Sequence, residues 1–175
     1  MWYLCGIGSN IDPADNLPRA LARLSQAFGS VRVSEVIHTP PYGMHSQNSF
    51  LNALVIFEAD LPQPQLKRWL NQLETDLGRD RTHPDSSTRD RPMDVDILAV
   101  SEQPSFPGTK LEEPYFRQLL VGAVEPDSCR RVAFAGRSLG EAPATIHWNQ
   151  GTGHVVVVHQ RQQLHDHALE AAFPG

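Results

Sequence analysis

The stretch that decides the fold runs from residue 50 to residue 100, FLNALVIFEADLPQPQLKRWLNQLETDLGRDRTHPDSSTRDRPMDVDILAV. Phe50 to Ala59 is rich in β-branched and aromatic residues and predicts a strand. Leu66, Trp69, Leu70, Leu73 and Leu77 then fall on one face of a helix, which Gly78 stops. From Arg79 to Arg91 no residue except Pro84 is apolar. Such a segment cannot enter a core, so it is expected to form an exposed, mobile loop. Met93 to Val100 returns to strand-like composition, and strand geometry puts Asp94 and Asp96 on one of its faces.

The residues upstream repeat this order. Trp2 to Ile7 reads as a buried strand that stops at the turn Gly8-Ser9-Asn10. Leu17, Ala20, Leu21, Leu24 and Phe28 mark a helix with Pro18 expected in its first turn and Gly29 at its end. Val31 to Ile37 reads as one strand, followed by the stiff loop Thr39-Pro40-Pro41-Tyr42-Gly43. Downstream, Gln103 to Gly108 is a connector, Tyr115 to Val124 a short helix and Ser138 to Gly153 a loop. Val155 to Val158 reads as a last strand and Arg161 to Ala172 as a terminal helix. The order β-α-β-β-α-β predicts an α+β fold: a ferredoxin-like two-layer sandwich with a mainly antiparallel sheet and flanking helices, in one domain over residues 1–175.

The chain has 175 residues, with 15 Lys+Arg against 20 Asp+Glu and a formal net charge of -5. A sequence pI near 5.9 and the lack of a basic run argue against a nucleic-acid surface. No segment approaches the roughly 18 apolar residues of a membrane span, and the first residues carry no basic leader, so a cytoplasmic protein without membrane attachment is expected. Cys5 and Cys129 are too few for a disulfide framework and read as free thiols. Neither a phosphate-loop glycine motif nor HExxH occurs, and the eight histidines read as non-ligands. Oligomeric state stays open.

Two constellations carry chemistry. Asp94 and Asp96 repel each other on one strand face, a cost that a cation between them removes. Mg²⁺ suits such a pair, because it takes a few carboxylate oxygens and completes its shell with waters and phosphate oxygens. Arg79, Arg81, Arg89 and Arg91 upstream offer fork-shaped donors for a polyphosphate. The same residues also fit a solvated strand edge on which Arg91 simply pairs with Asp94. In the second constellation, the Thr39–Gly43 loop fixes backbone groups against a flat heterocycle, with Phe50 as a stacking face and Asn52 as donor and acceptor.

Taken together these motifs resemble the 6-hydroxymethyl-7,8-dihydropterin pyrophosphokinase family. The matching pieces are Gly8-Ser9-Asn10, Thr39-Pro40-Pro41-Tyr42-Gly43, Phe50-Leu51-Asn52-Ala53, Glu74 with Gly78-Arg79, and Arg91 before Asp94-Val95-Asp96, over about residues 1–126. The resemblance implies transfer of pyrophosphate from ATP, as co-substrate, to a pterin alcohol in folate biosynthesis. It implies two Mg²⁺ ions on Asp94 and Asp96, with Arg81 and Arg91 joining these aspartates in catalysis. ATP would meet Asn71, Glu74, Arg79, Arg81, Arg91 and Arg117; the pterin would meet Thr39, Pro40, Tyr42, Gly43, Phe50 and Asn52. Small molecules are thus the expected partners, and a non-catalytic pterin or nucleotide binder is the alternative. The chain departs from the family pattern in three places: no tryptophan in the arginine loop, Tyr115 after Pro114 where a histidine is usual, and Leu119 where a pterin-stacking aromatic is usual.

Overall fold

A computed structural model describes residues 1–41 and 47–159. The elements are β1 (Trp2–Ser9), α1 (Pro13–Phe28), β2 (Ser30–Val33), β3 (Ile37–Thr39), β4 (Phe50–Glu58), α2 (Gln63–Asp76), β5 (Asp94–Ser101), α3 (Pro114–Val121), β6 (Val132–Phe134), β7 (Arg137–Leu139), β8 (Ala144–Asn149) and β9 (His154–His159). The main sheet has the order β5-β1-β4-β2-β8-β9, with β3 also paired to β4, while β6 and β7 form a separate hairpin. Each described pairing between strands is antiparallel. β1-α1-β2 and β4-α2-β5 each join two strands that flank a third, which gives the α+β sandwich expected from the sequence.

Strand alternation sorts the core. Tyr3, Cys5 and Ile7 of β1, with Ala53, Val55 and Phe57 of β4, bury against Leu17, Leu21 and Leu24 of α1 and Leu66, Leu70 and Leu73 of α2. Leu4, Leu54 and Ile56 face the other way and pack with Phe106, Leu111 and the α3 residues Phe116, Leu119 and Leu120. The leucines of α1 and α2 are almost wholly excluded from solvent. Each such side chain is worth about 1.5–3 kcal/mol in transfer free energy, enough to fix both helices on one face. Cys5 is buried and Cys129 half-buried, and both are free thiols.

Three local expectations change. The first helix begins at Pro13, with the Asp15 and Asn16 amides both donating to the Asp12 carbonyl, so Pro18 lies in the second turn rather than the first. The single strand read over Val31–Ile37 is two, β2 and β3. Ser34 breaks the ladder by turning its own hydroxyl to the Leu54 amide at 2.8 Å, and Val36 leaves the sheet to bond Gly140 at 3.0 Å. Residues 138–153, read as loop, contain the end of β7 and all of β8, whose Ile146 is buried opposite Val31. The alternation of Ala144, Ile146 and Trp148 with Thr145, His147 and Asn149 was the available signal for this strand. The last strand is β9, and the expected helix from Arg161 to Ala172 lies outside the described residues. Among the described residues no helix is long and apolar enough to cross a membrane.

Candidate active site

The end of β1 and the starts of β4 and β5 converge on a cleft of about 180 Å³. Asp94, Asp96, Arg91 and Ser87 line one part of it. Thr39, Pro40, Phe50, Asn52, Tyr115 and Phe116 line the rest. Two glycines on β1 let these walls approach. A Cβ on Gly6 would stand 2.5 Å from the Phe116 ring, and one on Gly8 would overlap the Asn52 amide oxygen.

The charged end is cross-linked throughout. Glu74, fully buried on α2, accepts from Arg79 at 3.2 Å, from Arg81 Nε at 2.6 Å and from the Val95 amide at 2.8 Å. Arg79 donates on to Asp94 at 2.9 Å, and Arg91 reaches the other Asp94 oxygen at 3.1 Å. Arg79 and Arg91 are each only 7% exposed. The expectation of an exposed loop from Arg79 to Arg91 therefore fails at both ends. Each guanidinium is taken inside by carboxylates and carbonyls that satisfy it, including Met93 for Arg79 and Ser87 for Arg91. Asn10 fixes the loop's end, its side-chain oxygen accepting the Arg91 amide at 2.7 Å and its side-chain nitrogen donating to Asp90 at 2.8 Å.

Asp96 differs from Asp94. Its side chain is 51% exposed, and Lys67 Nζ stands 3.8 Å away. Partial desolvation and, after it, the charge of Asp94 push its carboxyl up to about 6. Among the described residues no group of three or more His, Cys, Asp or Glu could hold a metal ion. Mg²⁺ needs no such group where phosphate oxygens and water complete its shell, so the hard-oxygen pair Asp94 and Asp96 fits it.

The other end of the cleft is aromatic. Asn52 Nδ2 donates to Thr39 Oγ1 at 2.6 Å, with both residues buried. Phe50 is 8% exposed, and Tyr115 packs edge-on against Phe116 with centroids 4.6 Å apart. Tyr42 and Gly43 lie outside the described residues.

Not every expected residue reaches the cleft. Glu74 is enclosed and could meet a ligand only through the arginines it holds. Arg117 is spent on the Leu111 and Glu112 carbonyls, each at 2.8 Å, ahead of α3. Asn71 lies on the α2 stripe with Lys67 and Glu74, and its side-chain oxygen is buried without a hydrogen-bond partner. Leu119, where an aromatic was missed, is core. Tyr115 and Phe116 were not expected in the site, since apolar residues opening a helix read as core; the glycines inside β1 were the available signal.

The fold and cleft define a small-molecule site with carboxylate and guanidinium groups at one end and an aromatic recess at the other. Residues 4–126 match the family 7,8-dihydro-6-hydroxymethylpterin-pyrophosphokinase (HPPK), and the chain belongs to that family. It is similar to the 2-amino-4-hydroxy-6-hydroxymethyldihydropteridine pyrophosphokinase of Porphyromonas gingivalis, at 32% identity over 111 residues, which is 62% of this chain and 76% of the relative. The protein of the same description from Bacillus subtilis is 29% identical over 160 residues, 87% of this chain and 93% of that one. That of Methylorubrum extorquens is 30% identical over 151 residues, 81% and 90% of the two chains.

Proposed function

We propose that this chain transfers pyrophosphate from ATP to 6-hydroxymethyl-7,8-dihydropterin, the folate-pathway reaction that releases AMP. The observation that carries this reading is the family match over residues 4–126, joined to one cleft with both a charged and an aromatic end. Asp94 and Asp96 would hold Mg²⁺, which when bound supplies charge neutralisation for the phosphate oxygens. The remaining chemistry is positioning and charge stabilisation by the chain. Thr39 and Asn52 orient the ring edge, while Phe50 and Tyr115 offer ring faces. The acceptor hydroxyl oxygen attacks the β-phosphorus, its bond to the bridging oxygen of AMP breaks, and the hydroxyl proton is lost to solvent. Arg91 at the cleft wall stabilises the transferring group, and Arg81, held by Glu74, would join it once phosphates bind. Asn71, with its unused buried acceptor, suits an amino group of the nucleotide base.

Incubation with MgATP and the pterin alcohol tests the reading. AMP that appears only when both substrates are present is the expected result. Binding of both ligands without AMP would instead establish a non-catalytic binder.

A further inference from the structure

The two cleft carboxylates are neutralised in different ways. Asp94 is held by Arg79 and Arg91, whose side chains are 6% and 9% exposed and bonded to several other groups. Asp96 has Lys67 at 3.8 Å, in a pair whose side chains are 43% and 51% exposed. Lys67 and Asp96 both border a recess of about 460 Å³ beside α2, whose other lining residues are Gln63, Pro64 and Ile97. An ammonium on a flexible four-carbon stem can move into such a space at little cost, whereas the buried, multiply bonded guanidinium groups cannot leave Asp94 so easily.

We propose that Lys67 is a placeholder cation, a positioning residue that neutralises Asp96 in the ligand-free protein and yields to a divalent cation by swinging into the α2 recess. The inference rests on the reading of Asp94 and Asp96 as the metal-holding pair. An ammonium and a divalent cation repel when they share one carboxylate, so each weakens the binding of the other. Lys67 therefore keeps the carboxylate ordered and charged while lowering the affinity of the empty site for a bare cation. The penalty is small, because a half-exposed pair at this distance is weak; removing the ammonium should strengthen cation binding about two- to fivefold.

Mn²⁺ titration of the full chain without nucleotide, followed by electron paramagnetic resonance, tests this. Lys67→Met should bind Mn²⁺ about two- to fivefold more tightly than the parent, since the competing charge is gone. Lys67→Arg should restore the parent value, and in an Asp96→Asn background Lys67→Met should change nothing. Equal affinity of Lys67→Met and parent overturns the proposal, as does a gain that survives in the Asp96→Asn background. A parent protein that takes up no Mn²⁺ overturns the metal-pair reading itself, so the two failures are distinguishable. Circular dichroism of each variant confirms the fold, and the exposed position of Lys67 makes that outcome expected.

Discussion

The two ends of the cleft are built to opposite specifications. At the charged end Glu74, Arg79, Arg81, Arg91 and Asp94 are bonded to one another before any ligand arrives. At the aromatic end the buried side-chain hydrogen bond from Asn52 to Thr39 stands beside Pro40 and the rings of Phe50, Tyr115 and Phe116. The difference follows from solvation. Buried charges must be paired or they unfold the site, whereas apolar ring surface can stand ready for a flat ligand at much lower cost. Changes at the charged end should therefore act first on stability, and changes at the aromatic end on ligand affinity.

The largest expected effect is that of Glu74→Gln. It removes the negative charge that two arginines share, one of them buried, and turns one of the two acceptor oxygens into a donor, so it should destabilise the protein by about 3–5 kcal/mol. Chemical denaturation measures it; a loss below about 1 kcal/mol would show that the guanidinium groups find other partners and that the charged end is not a stability element. Gly8→Ala comes next, because its Cβ overlaps the Asn52 amide. Overpacking of about 1–3 kcal/mol should displace that amide and raise the acceptor KM roughly tenfold or more, with nucleotide affinity nearly unchanged. Parallel losses for both ligands would erase the distinction between the ends.

Tyr115→Ala should cost about 0.5–1.5 kcal/mol of ring contact, a two- to tenfold rise in acceptor KM, with the melting temperature little altered. No rise in acceptor KM would return Tyr115 to a purely structural role beside Phe116. The smallest effect is on pH dependence without metal. Asp96 has a folded value near 6 against about 3.9 unfolded, so the native state holds the extra proton between those values. Stability therefore falls as pH rises from about 4 to about 6 and levels off above that. Asp96→Asn should melt slightly higher than the parent at pH 7 in EDTA, by no more than about 1–2 °C given solvent screening, and should match it near pH 3.5. A higher parent melting point at pH 7 would mean that the Lys67 pairing outweighs the repulsion by Asp94.

Hydrophobic period and punctuation sufficed for β1, α1, β4, α2 and β5, since each carries an apolar face that its neighbours bury whatever the register. They also singled out Asp94, Asp96, Arg91, Thr39, Phe50 and Asn52, which the fold brings to the wall of one cleft. They did not suffice for β8, where only Ala144 and Ile146 turn inward and the strand exists because β2 offers it an open edge. Nor could they place Arg79 and Arg91 inside the protein. A segment with almost no apolar residue reads as solvated until Glu74, fixed on α2 by the burial of Leu70 and Leu73, brings a carboxylate to meet it. Whether Tyr115 or Leu119 lines the cleft was likewise decided by packing, because α3 turns Leu119 into the core with Leu4 and Leu54 while Gly6 leaves room for Phe116 at the cleft wall. Local sequence sets which residues can be buried or charged; only long-range packing sets which partner each one meets, and that pairing fixes the direction in which a side chain points.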